Sequence, residues 1–343
     1  MRNPAAVPTL SVVDIRVIDP HDEVLLRRHW EIGKAAEAVS RPYDFYGSWE
    51  STCLSLTQQR DDIERVLLGA FVDEVMWGAA LVEHPLHDNL HSAKATYYVH
   101  PARQRQHVGR ALAVASYGVA RRRSRRLMVT EAFAPVDDIS PGLLFAEAMG
   151  FSQALVDGMK VVELPATEHL WDALAERAAA RHPDYRIVTW QDQVPEQYVA
   201  GYCTLNEMFV DEAPMGELDV EPERWDAERV HHGETRNQKT GRHIVAAGAV
   251  SQDGTLVGVT EIVVSSYAPS HGFQSGTLVA PGHRGHALGL AMKVANHRRL
   301  RARFPRCLLL MTGNADVNAA MNAVNEALGY REVERCIEMQ RPI

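Results

Sequence analysis

Two stretches of the chain show the same succession of hydrophobic and polar positions. In each, a β-like run ends in Val-x-Pro, at Val99-His100-Pro101 and again at Val279-Ala280-Pro281. Gln or Arg follows three residues later, Gly five residues further on, and Ala two beyond that, with the two matches 180 residues apart. Repeated landmarks in the same order at the same spacing indicate an internal duplication.

The duplication extends to both sides of this match. After each motif the pattern predicts a helix, an apolar strand and a second helix that ends in Gly-aromatic, at Gly150-Phe151 and Gly329-Tyr330. In the first copy, Asp157-Gly158 is predicted to join two short strands, Phe151–Val156 and Met159–Leu164. The strands predicted before the motif are Leu10–Val17, Val66–Val72 and Glu74–Val82 in the first copy, and Tyr185–Trp190, His243–Val250 and Thr255–Val264 in the second.

Each copy therefore has the element order β-αα-β-β-β-α-β-α-β, which predicts an α/β fold of the α+β type with a mixed sheet in two tandem domains. The expected domains are residues 1–165 and 184–343. Between them, residues 166–183 are predicted to form a packed linker helix, capped by Thr167 and beginning at Glu168. The polar segment 211–242 is interpreted as a helical-loop insertion near the second site, where a substrate would be held.

The residues after Pro281 are predicted to present free backbone amides. The first turn of an α-helix leaves its N–H groups without intrahelical partners and carries a partial positive charge, so anions bind there. A strand ending at Val-x-Pro, a tight loop and a helix that begins near Gly289 suit a pyrophosphate. Arg284 and His286 would add side-chain donors.

This pattern resembles motif A of the GNAT N-acetyltransferase superfamily, Q/R-x-x-G-x-G/A followed by a helix, whose amides hold the pyrophosphate of acetyl-CoA. In the second copy, Asn318, Met321 and Asn325–Tyr330 also resemble the next motif of that family. The resemblance covers nearly the whole chain as two tandem domains, as in mycothiol synthase-like proteins. It implies acetyl-CoA as the cofactor, with a backbone N–H of Leu278 or Val279 polarising the thioester carbonyl.

The residues that the resemblance places at the cofactor are Leu278, Val279, Arg284, Gly285, His286, Ala287, Leu288, Gly289 and Asn318 in the second copy, and Gln104, Arg105, His107, Val108, Gly109 and Arg110 in the first.

Both copies depart from the family pattern. The first glycine of the motif is His107 in one copy and Ala287 in the other, and a side chain there would hinder a phosphate, less so at Ala287. The family's tyrosine, a general acid toward the CoA thiolate, is replaced by Ala146 and Asn325. We therefore expect the second copy to be the active one, and the first to be structural or a degenerate CoA binder.

Direct transfer to an amine also needs a base, often a glutamate that acts through water. The second copy offers Glu261 on its third strand, and Glu212 or Asp211 on the preceding loop. Glu261 is the preferred base, although it would equally suit an outward-facing strand position, because strand side chains alternate between faces. Glu261, Glu212 and Asn325, which stands at the general-acid position, form the predicted catalytic set.

Bulk composition excludes several other classes. A net charge of −8 argues against a nucleic-acid-binding protein, and four dispersed cysteines predict reduced thiols. His283 and His286 lack a third placed ligand, so no metal site is expected. Without a secretion signal or a long apolar stretch, the expectation is a cytoplasmic monomer or homodimer that does not bind a membrane.

The leading hypothesis is an acetyl-CoA-dependent N-acetyltransferase that acts on a small amine by direct transfer. A non-catalytic acyl-CoA-binding or sensor protein is an alternative, favoured by the missing tyrosine in both copies. An acyltransferase that uses a longer acyl-CoA is a further alternative.

Overall fold

The computed structural model describes residues 12–39, 41, 43 and 45–343. The strands are β1 (Asp14–Ile18), β2 (Ile63–Val72), β3 (Val75–Pro85), β4 (Ser92–Val99), β5 (Leu127–Ala134), β6 (Ser152–Glu163), β7 (Arg186–Gln191), β8 (Arg242–Val250), β9 (Leu256–Ser265), β10 (Ala268–Val279), β11 (Leu309–Ala315) and β12 (Arg331–Pro342). The helices are α1 (Glu23–Glu37), α2 (Trp49–Thr57), α3 (Val108–Arg122), α4 (Pro141–Ala148), α5 (Leu164–Thr167), α6 (Trp171–Ala179), α7 (Glu196–Glu207), α8 (Phe209–Glu212), α9 (Ala227–Lys239), α10 (Leu288–Arg303) and α11 (Ala319–Ala327).

The observed element order confirms the duplicated α/β unit. β1 to β6 form the first copy, here called the N half, and β7 to β12 form the second, the C half. Local signals explain several element ends. Asp226, for example, caps α9 by accepting from the Arg229 amide, and the β8–β9 hairpin turns at Gly254 with φ +89°.

Within the described residues, all strands join one mixed sheet in the order β1-β2-β3-β4-β5-β12-β6-β11-β10-β9-β8-β7. The last strand of each half is exchanged. β12 pairs antiparallel with β5 of the N half, and β6 pairs antiparallel with β11 of the C half. β6 and β12 also pair with each other at the centre. The boundary at residue 165 therefore follows a strand that lies against the other half, and the division into domains stays a prediction.

Two local predictions were wrong. Asp157-Gly158 does not join two strands, because β6 runs unbroken through both residues, which pair with β11 and with β12 on its two edges. Thr167 does not cap a helix, because the chain is already helical there and its hydroxyl donates to the carbonyls of Glu163 and Leu164. The predicted first strand, 10–17, begins outside the described residues, and β1 begins at Asp14.

The linker segment packs onto the C half. Trp171 and Leu174 of α6 are buried with Leu290 and Val294 of α10 in one core cluster. That cluster also contains Val245 and Ile262 from β8 and β9, so α10 and α6 cover one face of the C-half sheet. On the opposite face, Leu205 of α7 packs against Ala246 and Leu278.

The insertion between α8 and β8 reaches the N half. Arg229 on α9 pairs with Asp88 at 2.6 Å, and Arg236 pairs with Asp62 at 3.2 Å. The backbone N–H of Glu221 donates to Asn89 at 2.7 Å. The two halves are therefore linked both through the sheet and across the α7 face.

Candidate active site

The central parallel strands of each half separate along their length. β10 and β11 pair only over His271–Phe273 and Leu309–Met311, although β10 continues to Val279. In the N half, β4 and β5 pair only from Ser92 to Lys94. Each half therefore contains a wedge-shaped gap between two parallel strands, next to the helix that follows the first of them.

Backbone alternation determines which residue faces the gap of the C half. The Ala280 N–H donates to the Val257 carbonyl of β9 at 2.9 Å. Since strand N–H groups alternate in direction, the Leu278 N–H also points to β9 and the Val279 N–H points into the gap. The Val279 carbonyl accepts from Arg284 Nε at 3.1 Å, which agrees with that direction. Of the two predicted residues, the geometry favours Val279 as a donor to a ligand oxygen.

The loop before α10 forms a concave group of amides. Gly285 and Ala287 have left-handed backbones, with φ +85° and +55°. The first α-type hydrogen bond of α10 runs from the Ala291 amide to the Ala287 carbonyl. The amides from Leu288 to Leu290 therefore have no intrahelical partner. Such a turn at a helix N-terminus binds anions. Leu288 offers only its amide, because its side chain is buried in the core.

Space over this cradle is open. A Cβ built on Gly285 would meet nothing within 4 Å, and one on Gly289 would meet only Met321 Cε, at 3.9 Å. Asn318, predicted at the cofactor, caps α11 by accepting from the Met321 amide at 3.2 Å. The backbone of the C-half cradle is therefore unobstructed at Gly285 and Gly289, beside the start of α11.

The charged side chains around the cradle are already engaged. Arg284 pairs with Glu212 at 2.6 Å, in addition to its bond to the Val279 carbonyl. Glu212, a predicted alternative base, is thus held by the cofactor-side arginine. The His286 ring lies 5.2 Å from the ring of Tyr185, beside the helix start.

The N half has the same backbone with less space. Arg105 and His107 take left-handed values of φ, +62° and +65°, and Gln104 contacts the Val99 carbonyl at 3.4 Å. Here a Cβ on Gly109 would lie 3.0 Å from the ring of Phe145. The remaining predicted residues are Val108, whose side chain is buried in the core, and Arg110, which is exposed.

Glu261 faces away from α10, on the α7 face of the sheet. It stands opposite Ala246 in the β8–β9 ladder, and its Oε1 accepts from the Tyr202 hydroxyl at 3.0 Å. Burial raises the pKa of Glu261 above its ordinary 4.5, while the bond from Tyr202 acts in the opposite direction. The sequence left the facing of Glu261 open. The structure places its carboxylate at a cavity.

That cavity has a volume of about 850 Å³, within the range of small-ligand sites. Tyr202, Trp225 and Trp190 line it from the C half, and residues 60–63 and 85–89 line it from the N half. In the N half itself, Leu81 takes the place of Glu261 in the repeat. Tyr46 and Tyr98 pack edge to face there, with ring centroids 5.7 Å apart.

Asn325 lies outside this cavity. It is fully buried, accepts from Lys293 Nζ at 2.6 Å, and donates to Asn314. Sequence reasoning missed Lys293 and Tyr202. Lys293 has the spacing of an ordinary interior helix position, and Tyr202 meets Glu261 across 59 residues of chain, so neither carries a local signal.

Solved structures share this fold. A tandem GNAT protein from the clavulanic acid biosynthesis pathway matches with a TM-score of 0.79 and 23% identity, over 96% of this chain and 98% of its own. The fold is that of a tandem GNAT protein. A GCN5-related N-acetyltransferase from Sphaerobacter thermophilus matches with a TM-score of 0.64 and 14% identity, over 96% of this chain and 95% of its own.

A glucosamine N-acetyltransferase region of a fungal multi-domain GH3 β-N-acetylglucosaminidase matches with a TM-score of 0.70 and 12% identity. It covers 98% of this chain and 39% of the fungal one. No family model and no curated protein sequence matches the chain, so the likeness to tandem GNAT proteins is one of fold.

Two further observations concern the described part of this tandem GNAT fold. None of its helices is both long enough and apolar enough to cross a bilayer. No group of three or more His, Cys, Asp or Glu side chains in it is placed to hold a metal ion.

Proposed function

We propose that the chain is an acetyl-CoA-dependent N-acetyltransferase whose C half transfers the acetyl group to a small amine. The observation that carries this proposal is the arrangement of the gap between β10 and β11. An open amide cradle lies at its α10 end, and the neighbouring strand β9 carries Glu261 into a cavity on the α7 face. The shared fold of the GCN5-related N-acetyltransferases supports the same reaction class.

The cradle fits the diphosphate of acetyl-CoA. The amides from Leu288 to Leu290 supply unpaired donors, and Gly285 and Gly289 leave space above them. When bound, acetyl-CoA supplies an acetyl group activated as a thioester. The N–H of Val279, which faces the gap, would donate to an oxygen placed there and stabilise negative charge on it.

Glu261 is the proposed base. Its raised pKa suits proton abstraction, because a carboxylate of higher proton affinity is a better acceptor near neutral pH. Tyr202 holds the carboxylate in one position. The cavity walls would orient the acceptor amine, and positioning of this kind supplies much of the rate in such transfers.

The N half is proposed to be structural or a degenerate cofactor binder. Phe145 crowds its cradle, Leu81 replaces the base, and aromatic rings occupy its α1 face. These features support one active site per chain.

Three glycines at the second position of a helix provide a matched test. Gly289→Glu should abolish acetyl-CoA binding, because a bulky anion would occupy the phosphate site. It should not destabilise the fold, because its Cβ meets only Met321 at 3.9 Å. Gly142→Glu, at the same position of α4 with only Ser140 nearby at 3.7 Å, should retain binding. Gly109→Glu should lower the free energy of unfolding by about 1–3 kcal/mol through crowding of Phe145, and still bind. Isothermal titration and urea unfolding measure the two effects.

Activity is measured as release of free CoA thiol over a panel of small amines. Binding without thiol release on any amine would favour the acyl-CoA sensor, and a preference for longer acyl-CoA would favour the second alternative. Equal loss of binding from Gly109→Glu and Gly289→Glu would contradict the assignment of the site to the C half.

A further inference from the structure

A cluster of arginines lies where the N half meets α9 and β8. Arg60 pairs with Asp62 through two bonds of 2.7 and 2.5 Å, and Arg236 reaches the same carboxylate at 3.2 Å. Arg242 begins β8 nearby and is exposed. Among the described residues, its side chain takes part in no hydrogen bond or ion pair. Two guanidinium groups thus share the Asp62 carboxylate, and the third has no carboxylate partner in the described part of the chain.

The other carboxylates nearby do not balance this charge. Glu83 is engaged with Arg65 at 2.9 Å, and Asp61 lies against His232 at 2.9 Å. Desolvation and the neighbouring Arg60 guanidinium lower the pKa of Arg236. The cluster therefore holds excess positive charge, which an oxyanion would neutralise.

Two arginines of the cluster line the acceptor cavity. Arg60, Asp62 and Arg236 line the cavity, and so does Ile244, on the same face of β8 as Arg242. Along β8, Arg242 lies four residues from Ala246, the partner of Glu261 in the ladder. At about 3.3 Å per residue, this separates the two backbone positions by roughly 13 Å.

The remaining lining has the opposite charge. Apart from Arg224 and Arg229, its charged side chains are acidic: Asp61, Asp88, Asp192, Glu223, Asp226, Glu228, Glu234 and Glu261. The cavity therefore combines an acidic lining suited to an amine, which includes Glu261, with two arginines suited to an anion, Arg60 and Arg236.

We propose that Arg60, Arg236 and Arg242 form an oxyanion subsite, so that the acceptor carries a carboxylate or phosphate group at the end opposite its amine. This inference rests on the proposed function in taking the cavity as the acceptor site. It assigns the N half a role in acceptor recognition, because Arg60 comes from that half.

The test compares γ-aminobutyrate, ε-aminocaproate and their next even homologue with the alkylamines of the same length, by isothermal titration into the full chain. The best acid should bind at least about tenfold tighter than its matched amine. This factor corresponds to the lower end of the free energy of a charge-assisted hydrogen bond. Arg242→Gln should remove most of that preference. Arg306→Gln, an exposed arginine in the loop before β11, should keep it.

Inorganic phosphate serves as the second arm. Competition by phosphate with the acid, but not with the amine, indicates that the same groups recognise either oxyanion. Equal affinity for acid and amine, no measurable binding of any acid, or an unchanged preference in Arg242→Gln would each overturn the subsite. If the preference for the acid is intact but no amine gives thiol release, the transferase assignment is refuted instead. The two failures are therefore distinguishable.

Discussion

Lys293 is a buried cation in α10 whose replacement should stabilise the protein. Only 1% of its surface is exposed, and its Nζ donates to Asn325 Oδ1 at 2.6 Å. Within the described residues no carboxylate pairs with it. Burial, together with the charge of Lys160, lowers its pKa from 10.5 to about 7. The perturbation is Lys293→Met, which keeps an unbranched side chain of similar length and removes the charge.

The fall from 10.5 to about 7, at about 1.36 kcal/mol per pKa unit, corresponds to about 5 kcal/mol. Between these values the unfolded chain holds a proton that the folded chain has lost, so wild-type stability rises with pH across this window. The stability gained when Lys293 is neutral is fully present above pH 10.5 and is lost as the pH falls through 7. At pH 7 or below, the methionine variant should be more stable by up to about 5 kcal/mol, less about 1 kcal/mol for the lost bond to Asn325.

Urea unfolding of both proteins at several values between pH 7 and pH 10.5 measures this difference. The advantage of Lys293→Met should shrink steadily as the pH rises. Lys34→Met, on the exposed side of α1, should show no such trend. If Lys293→Met is less stable than wild type at pH 7 and the difference is constant with pH, the reasoning about a buried ammonium is refuted.

Two further predictions concern the base and the exchanged strands. Glu261→Gln should lower kcat by about 100-fold or more with acetyl-CoA binding retained. In the wild type the acidic limb of kcat/KM should lie above 4.5, and Tyr202→Phe should move it higher, because that hydroxyl lowers the pKa of Glu261. If the acidic limb of kcat/KM does not move in Tyr202→Phe, Glu261 is excluded as the titrating base. Deleting residues 331–343 should reduce amide protection in β5 and β6, both strands of the N half, since β12 pairs with both. Hydrogen exchange that changes only in the C half would contradict the exchanged pairing.

The amino-acid sequence by itself determined the duplicated unit and the cradle. Both depend on local interactions: the Val-x-Pro strand end, the small residues at Gly285 and Ala287, and the helix that starts at Leu288 all lie within a few positions of one another. The loop and helix periodicity therefore predict the position of the amides without reference to any long-range contact.

Only the tertiary structure decided the strand exchange, the facing of Glu261 and the arginine cluster. β12 could lie beside β11 of its own half or insert beside β5, and no local pattern distinguishes the two arrangements. Tyr202 and Glu261 are 59 residues apart, and Arg236 lies 174 residues from Asp62. Contacts at such separations arise from how the two halves pack together, because hydrophobic periodicity specifies the buried face of an element but not the element that covers it.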